Sequence, residues 1–230
     1  MNCVRTYVIC LCCVFLLSLA MQAENVSARN LEALQEAAEQ GDATAQFVLG
    51  AFYLGGHGVP KDDDMALQWL RKSAEQANAE AQFALGALYT AGRSVPQDYA
   101  KAVQWFQKAA EQGDTDAQSI LGAVYLLGQG VPKDERKGAQ WFKKAADQGN
   151  AAAQTVMGGL YYLGWGMPRD RQAGCGLLRA SAGQGYTKAI ELYKVCAADK
   201  TDIPLDELET RLHDEIVKLV KSAEALGAVQ

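Results

Sequence analysis

The chain matches itself every 36 residues, and no other feature limits its folding choices so tightly. Gln40, Gln76, Gln112, Gln148 and Gln184 share one phase, and Ala45, Ala81, Ala117, Ala153 and Ala189 share another. Gly50, Gly86, Gly122 and Gly158 keep the same step, followed by Tyr53, Tyr89, Tyr125 and Tyr161. Pro60, Pro96, Pro132, Pro168 and Pro204 recur as well, each with an aspartate two residues on, from Asp62 to Asp206. Trp69, Trp105 and Trp141 complete the frame, which Leu177 and His213 then break. A period of this length marks an array whose units cannot bury their apolar faces alone and stack on one another to do so.

Each unit reads as two helices. Ala45, Val48, Leu49 and Phe52 have the i, i+3, i+4, i+7 spacing of an apolar helical face. Gly55 to Pro60 ends that helix, because Gly reaches positive φ and Pro lacks the amide hydrogen a continuing helix needs. Asp62 starts the next helix as an N-cap, its carboxylate facing the free amides of the first turn. Ala66, Leu67, Trp69, Leu70 and Ala74 supply the buried stripe of this second helix, and Gly113, Gly149 and Gly185 stop its counterparts in later units. A glycine inside each first helix costs about 1 kcal/mol relative to alanine. A large side chain of a neighbouring helix, Trp or Tyr of the same stack, is expected to pack on the backbone exposed there.

The fold class expected is all-α: a right-handed α/α superhelical solenoid of stacked helix-turn-helix repeats. Residues 24–40 are read as an N-terminal capping helix, and 41–76, 77–112, 113–148 and 149–184 as four repeats. Residues 185–230 are read as a degenerate fifth repeat and a closing helix with Leu208, Leu212, Ile216, Leu219 and Val220 on one side. Residues 1–23 differ in kind. Arg5 precedes an apolar stretch from Tyr7 to Leu19, followed by Ala20 and Ala23, the layout of a cleaved secretory signal. The alternative is a membrane anchor, but the apolar run is shorter than the roughly 20 residues that cross a bilayer.

Cleavage there would remove Arg5 alone among the charged residues, leaving 21 basic against 27 acidic side chains, a net of −6 compared with −5 for the whole chain. That balance argues against nucleic acid or anionic lipid as partner, since both call for clustered Lys and Arg. No membrane span is expected after cleavage. Cys175 and Cys196 would remain, in an oxidising compartment where a disulfide persists. Cys175 holds the register position of Leu67, Val103 and Ala139, and Cys196 that of Phe52, Leu88, Val124 and Leu160. Those helix faces are expected to touch, so a Cys175–Cys196 disulfide is expected, with two buried thiols as the alternative.

From Ala81 to Gln112 the chain reads A-Q-F-A-L-G-A-L-Y-T-A-G-R-S-V-P-Q-D-Y-A-K-A-V-Q-W-F-Q-K-A-A-E-Q. This pattern resembles the Sel-one-like repeat of the exported bacterial type, a relative of the tetratricopeptide repeat, over four units and a degenerate fifth that carries Tyr193 and His213. The resemblance implies adaptor or scaffold work through the concave face, in bacteria often at the envelope or in secretion and virulence. It also implies an alternative, hydrolysis of a β-lactam or cell-wall peptide, because some exported relatives have been associated with β-lactams.

A protein or peptide partner is expected to lie on the face of the first helices offset from their core stripe. There Phe47 and Leu54, Phe83 and Thr90, Ser119 and Leu126, and Thr155 and Tyr162 alternate with small residues in successive units. The competing reading makes Phe47, Phe83 and Leu126 core residues. A second varying position, His57, Arg93, Gln129 and Trp165, lies in the glycine-rich loop and suits recognition or an unconstrained solvent loop. No catalytic, cofactor-binding or metal-binding residue is identified. His57 and His213 are far apart, His57 expected to be exposed and His213 to take the Trp position in the core. Asp62, Asp63 and Asp64 lack the ligand alternation of a calcium loop.

Overall fold

The computed structural model describes residues 28–197 and 205–227, so the proposed signal segment lies outside the described residues. Among these residues there are helices and turns and no strand. In chain order the helices are α1 (Ala28–Glu39), α2 (Ala43–Gly55), α3 (Asp63–Glu75), α4 (Ala79–Ala91), α5 (Tyr99–Glu111) and α6 (Thr115–Leu127). They continue with α7 (Glu135–Asp147), α8 (Ala151–Leu163), α9 (Arg171–Gly183), α10 (Thr187–Ala197) and α11 (Leu205–Gly227). Thus α2, α4, α6 and α8 are the first, or A, helices of the repeats, and α3, α5, α7 and α9 are the second, or B, helices.

Caps fix the boundaries. Asp42, Asn78, Asp114 and Asn150 each turn a side-chain oxygen back onto the amide of Ala45, Ala81, Ala117 or Ala153 to start an A helix. Each A helix ends on a left-handed glycine, Gly56, Gly92, Gly128 or Gly164. Asp62, Asp134 and Asp170 cap B helices. The backbone amide of each of these aspartates also donates to the tyrosine of the same unit, Asp62 to Tyr53 O at 3.0 Å and Asp134 to Tyr125 O at 2.8 Å. That bond closes the turn between A and B helices, which is why Tyr and Asp keep step in the sequence.

The chain divides into two compact units, one reaching Asp98 and including the end of α11 from Ser222, the other spanning Tyr99–Lys221. In the first, α1 to α4 stack in chain order. Ala38, Ala45, Leu49 and Trp69 form a core there, and Leu31, Leu34 and Tyr53 pack against it, so α1 acts as a half-repeat that covers α2. In the second, α5 to α10 stack in chain order. The A helices are apolar on nearly every side, as α6 shows with nine buried residues, whereas the B helices bury one stripe and keep the other face in water.

The mid-helix glycines receive a residue other than the expected Trp or Tyr. A Cβ on Gly50 would lie 2.9 Å from Leu70 Cγ, on Gly122 2.5 Å from the Phe142 ring, and on Gly158 2.7 Å from Leu178 Cγ. The occupant is the residue following the Trp position. The tryptophans pack beside that contact instead, Trp69 buried and Trp105 and Trp141 half-buried, each with a lysine over its face at 4.0–4.1 Å: Lys72 on Trp69, Lys108 on Trp105 and Lys144 on Trp141.

Candidate partner-binding face

In the first unit, Phe47 and Leu54 on α2 and Phe83 on α4 are half-buried, leaving ring and aliphatic surface accessible. Thr90 is not part of that surface: it is 2% exposed, and its hydroxyl donates to Gly86 O at 2.8 Å in its own helix. The loop residue Arg93 is not free for recognition either. Its guanidinium pairs with Asp63 at 2.9 Å and donates to Leu54 O at 3.2 Å, tying the α4 loop to the preceding repeat. The hydrogen bond and charge of Arg93 hold the Asp63 carboxyl below its ordinary value of 3.8. His57, expected to be exposed, is half-buried, edge-on to Phe52 with ring centroids 6.5 Å apart.

In the second unit the expected open floor is largely core. Ser119, Leu126 and Thr155 are 2%, 6% and 0% exposed. Leu126 lies over Gly138 of α7, where a Cβ would come within 2.8 Å of it, so the core reading is the correct one for this residue. The hydroxyls of Ser119 and Thr155 lie 2.8 Å from Thr115 O and 2.9 Å from Ala151 O, and Ser181 Oγ is 2.9 Å from Thr155 Oγ1. Hydroxyls bonded in this way are engaged by carbonyls of their own helices. Tyr162 is half-buried against the apolar cluster in which Leu208 of α11 joins Leu178 and Leu192.

That last contact changes the role of α11. Gly158 and Gly159 are adjacent, so they point about 100° apart around α8. Gly158 receives Leu178 from α9, and Gly159 receives Leu212 from α11, whose Cδ1 would be 2.7 Å from a Cβ there. Thus α11 lies on the offset face of α8 and does not simply close the stack. His213, expected in the core, is exposed. Glu215 is buried and accepts a hydrogen bond from Tyr186 Oη, with Lys218 3.6 Å away. A disulfide joins Cys175 on α9 to Cys196 on α10, with Cα atoms 5.7 Å apart.

Sequence reasoning missed a buried polar ladder. Gln46 donates to Ala38 O, Gln82 to Ala74 O and Gln118 to Ala110 O, each at 3.0 Å, and Gln154 to Ala146 O at 3.3 Å. The glutamine that caps the end of the B helix of the same repeat then donates to it: Gln76 to Gln46 at 2.7 Å, and Gln148 to Gln118 and Gln184 to Gln154 at 2.8 Å. Each A-helix glutamine therefore satisfies a carbonyl at the end of the preceding helix, and Gln46, Gln118 and Gln154 also hold their own repeats closed. A glutamine every 36 residues in an otherwise apolar helix was the available signal.

Residues 43–78, 79–114, 115–150 and 151–186 each match the pattern described as Sel1 repeat. Among solved structures, the chain is similar to a protective antigen present in uropathogenic Escherichia coli strains that displays an SLR fold. Identity is 35% and the TM-score 0.73, over 84% of this chain and 41% of that one. It is also similar to a Sel1 repeat protein from Oxalobacter formigenes, with 34% identity and a TM-score of 0.69 over 83% of this chain and 78% of that one. The chain thus spans about two fifths of the length of the E. coli antigen. No curated protein matches it.

Proposed function

Because the chain belongs to the Sel1 repeat family, we propose that it is an exported scaffold that holds a protein partner on the offset face of its A helices. Sel1 repeats serve generally in protein–protein interaction. The observation that carries the reading is the pair of half-buried phenylalanines, Phe47 and Phe83, at one register position on α2 and α4, with Leu54 a further two turns along α2. Aromatic side chains left partly in water on a rigid helical frame are the usual anchors of an interface. Export is supported by the Tyr7–Leu19 apolar stretch behind Arg5 and by the Cys175–Cys196 disulfide, a bond that persists in oxidising compartments. The hydrolase alternative gains no support, since the hydroxyls of Thr90, Ser119 and Thr155 face helix carbonyls.

The test is affinity capture from envelope extract with tagged chain, read by quantitative mass spectrometry. Phe83→Glu is expected to lower recovery of specific partners about tenfold or more, the size of a lost interface anchor. Gln68→Glu, on the exposed face of α3, is expected to leave recovery unchanged. Equal recovery by wild type and a folded Phe83→Glu protein would sink the proposal.

A further inference from the structure

Helix α10 stands in the A-helix register of a fifth repeat but lacks three devices that pin the A helices before it. Asp42, Asn78, Asp114 and Asn150 cap those helices, and Tyr186 stands at the equivalent position. Gln46, Gln82, Gln118 and Gln154 bond them to the end of the preceding helix, and Ile190 stands there in α10. Gly50, Gly122 and Gly158 each receive a side chain of the following B helix, and the exposed Lys194 takes their place. Apolar packing is left to a short stripe in which Ala189 and Leu192 are buried, and Tyr186 ties the start of the helix to Glu215 of α11. The last turn of α10 is held on α9 by a covalent bond instead, Cys175 to Cys196. At the same two register positions in earlier repeats, Leu67, Val103 and Ala139, and Phe52, Leu88, Val124 and Leu160, are all buried. Cys175 and Cys196 are only half-buried, so the bond lies within reach of a thiol from solution.

We propose that the Cys175–Cys196 bond is a redox latch: α10 is docked on α9 while the bond is intact, and reduction by a dithiol releases α10 while the repeats before it stay folded. A thiolate of the dithiol attacks one sulfur and forms a mixed disulfide, and its second thiol displaces the protein sulfur. The dithiol leaves as a disulfide, having passed two electrons and two protons to the chain, which now carries two thiols. With the cross-link gone, α10 loses the loop constraint that held its last turn, and neither an Asx cap nor a glutamine bond takes over. Leu178 of α9 and Leu192 of α10 share one apolar cluster, so release uncovers apolar surface at that end of the stack. The latch is independent of the scaffold reading, since it requires no partner.

The experiment is amide hydrogen exchange of the purified chain, read by mass spectrometry without denaturant, before and after treatment with dithiothreitol. On reduction, amides of Thr187–Ala197 are expected to lose about a hundredfold in protection and to approach the rates of a free chain. Those of α6 and α8 are expected to stay strongly protected. Untreated chain carrying both Cys175→Ser and Cys196→Ser is expected to match the reduced wild type and to ignore dithiothreitol, and reoxidation of the wild type is expected to restore protection. A bond that dithiothreitol cannot reduce until denaturant is added overturns the proposal. So does a reduced chain in which α10 keeps its protection. Loss of protection in α6 and α8 together with α10, in the reduced chain or in the double variant, overturns it as well, because the bond would then be a staple of the whole stack.

Discussion

Gly122 and Gly176 both lie inside helices, yet the same substitution should move stability in opposite directions at the two sites. A methyl group on Gly122 would lie 2.5–2.7 Å from three ring carbons of Phe142, whose side chain is fully buried and has no room to swing away. The overlap costs about 1–3 kcal/mol and outweighs the helix propensity gained. Around Gly176 nothing lies within 4 Å, so only the propensity gain of about 0.5–1 kcal/mol is left. Urea denaturation should therefore show Gly122→Ala less stable and Gly176→Ala more stable than wild type. A stabilised Gly122→Ala would contradict the close packing of α6 on α7. The glycine spacing alone announced that something approaches the helix. It did not say which residue, because Trp and the residue after it lie on the same half of the B helix and differ by one step of rotation. The glutamine ladder was equally hidden, since its acceptors lie eight residues back, across a turn.

Helix boundaries were legible from caps and stops because these are local chemistry, a carboxylate over free amides or a glycine at positive φ. The placement of α11 was not. Its stripe from Leu208 to Val220 says that one side must be covered, but an amphipathic pattern carries no address for the surface that covers it. The second glycine at Gly158–Gly159 was the one local hint. Tyr162, taken from the sequence as open groove, is half-buried for the same reason. At this scale the Cys175–Cys196 disulfide makes a separate prediction. It joins α9 to α10 across a sequence separation of 21 and should contribute about 3 kcal/mol by restricting the unfolded chain. Reduction, or Cys175→Ser with Cys196→Ser, should lower the unfolding free energy obtained from urea denaturation by that amount. Mass spectrometry of non-reduced protein should show no free thiol at either position; both thiols free would contradict the bond.

For the molecule as a whole, the 36-residue beat specified the family and the all-helical architecture, since four in-phase copies admit few other ways to bury an alanine- and leucine-rich stripe. Function was less legible, because partner choice depends on which offset residues stay in water, and burial settles that only after folding. Thr90, Ser119, Leu126 and Thr155 dropped into the interior, while Phe47, Leu54 and Phe83 did not. The net charge of −5 offers no general excess of positive charge, and it is the Sel1 repeats that suggest a protein partner. The central claim is that this partner lies on the A helices, and site-specific photo-crosslinking in cells that make the chain tests it most directly. A photoreactive residue at position 47 or 83 should give the same discrete protein adduct, and one at exposed B-helix positions 68 or 140 should give none. Adducts from 68 and 140 with none from 47 and 83 would contradict the account.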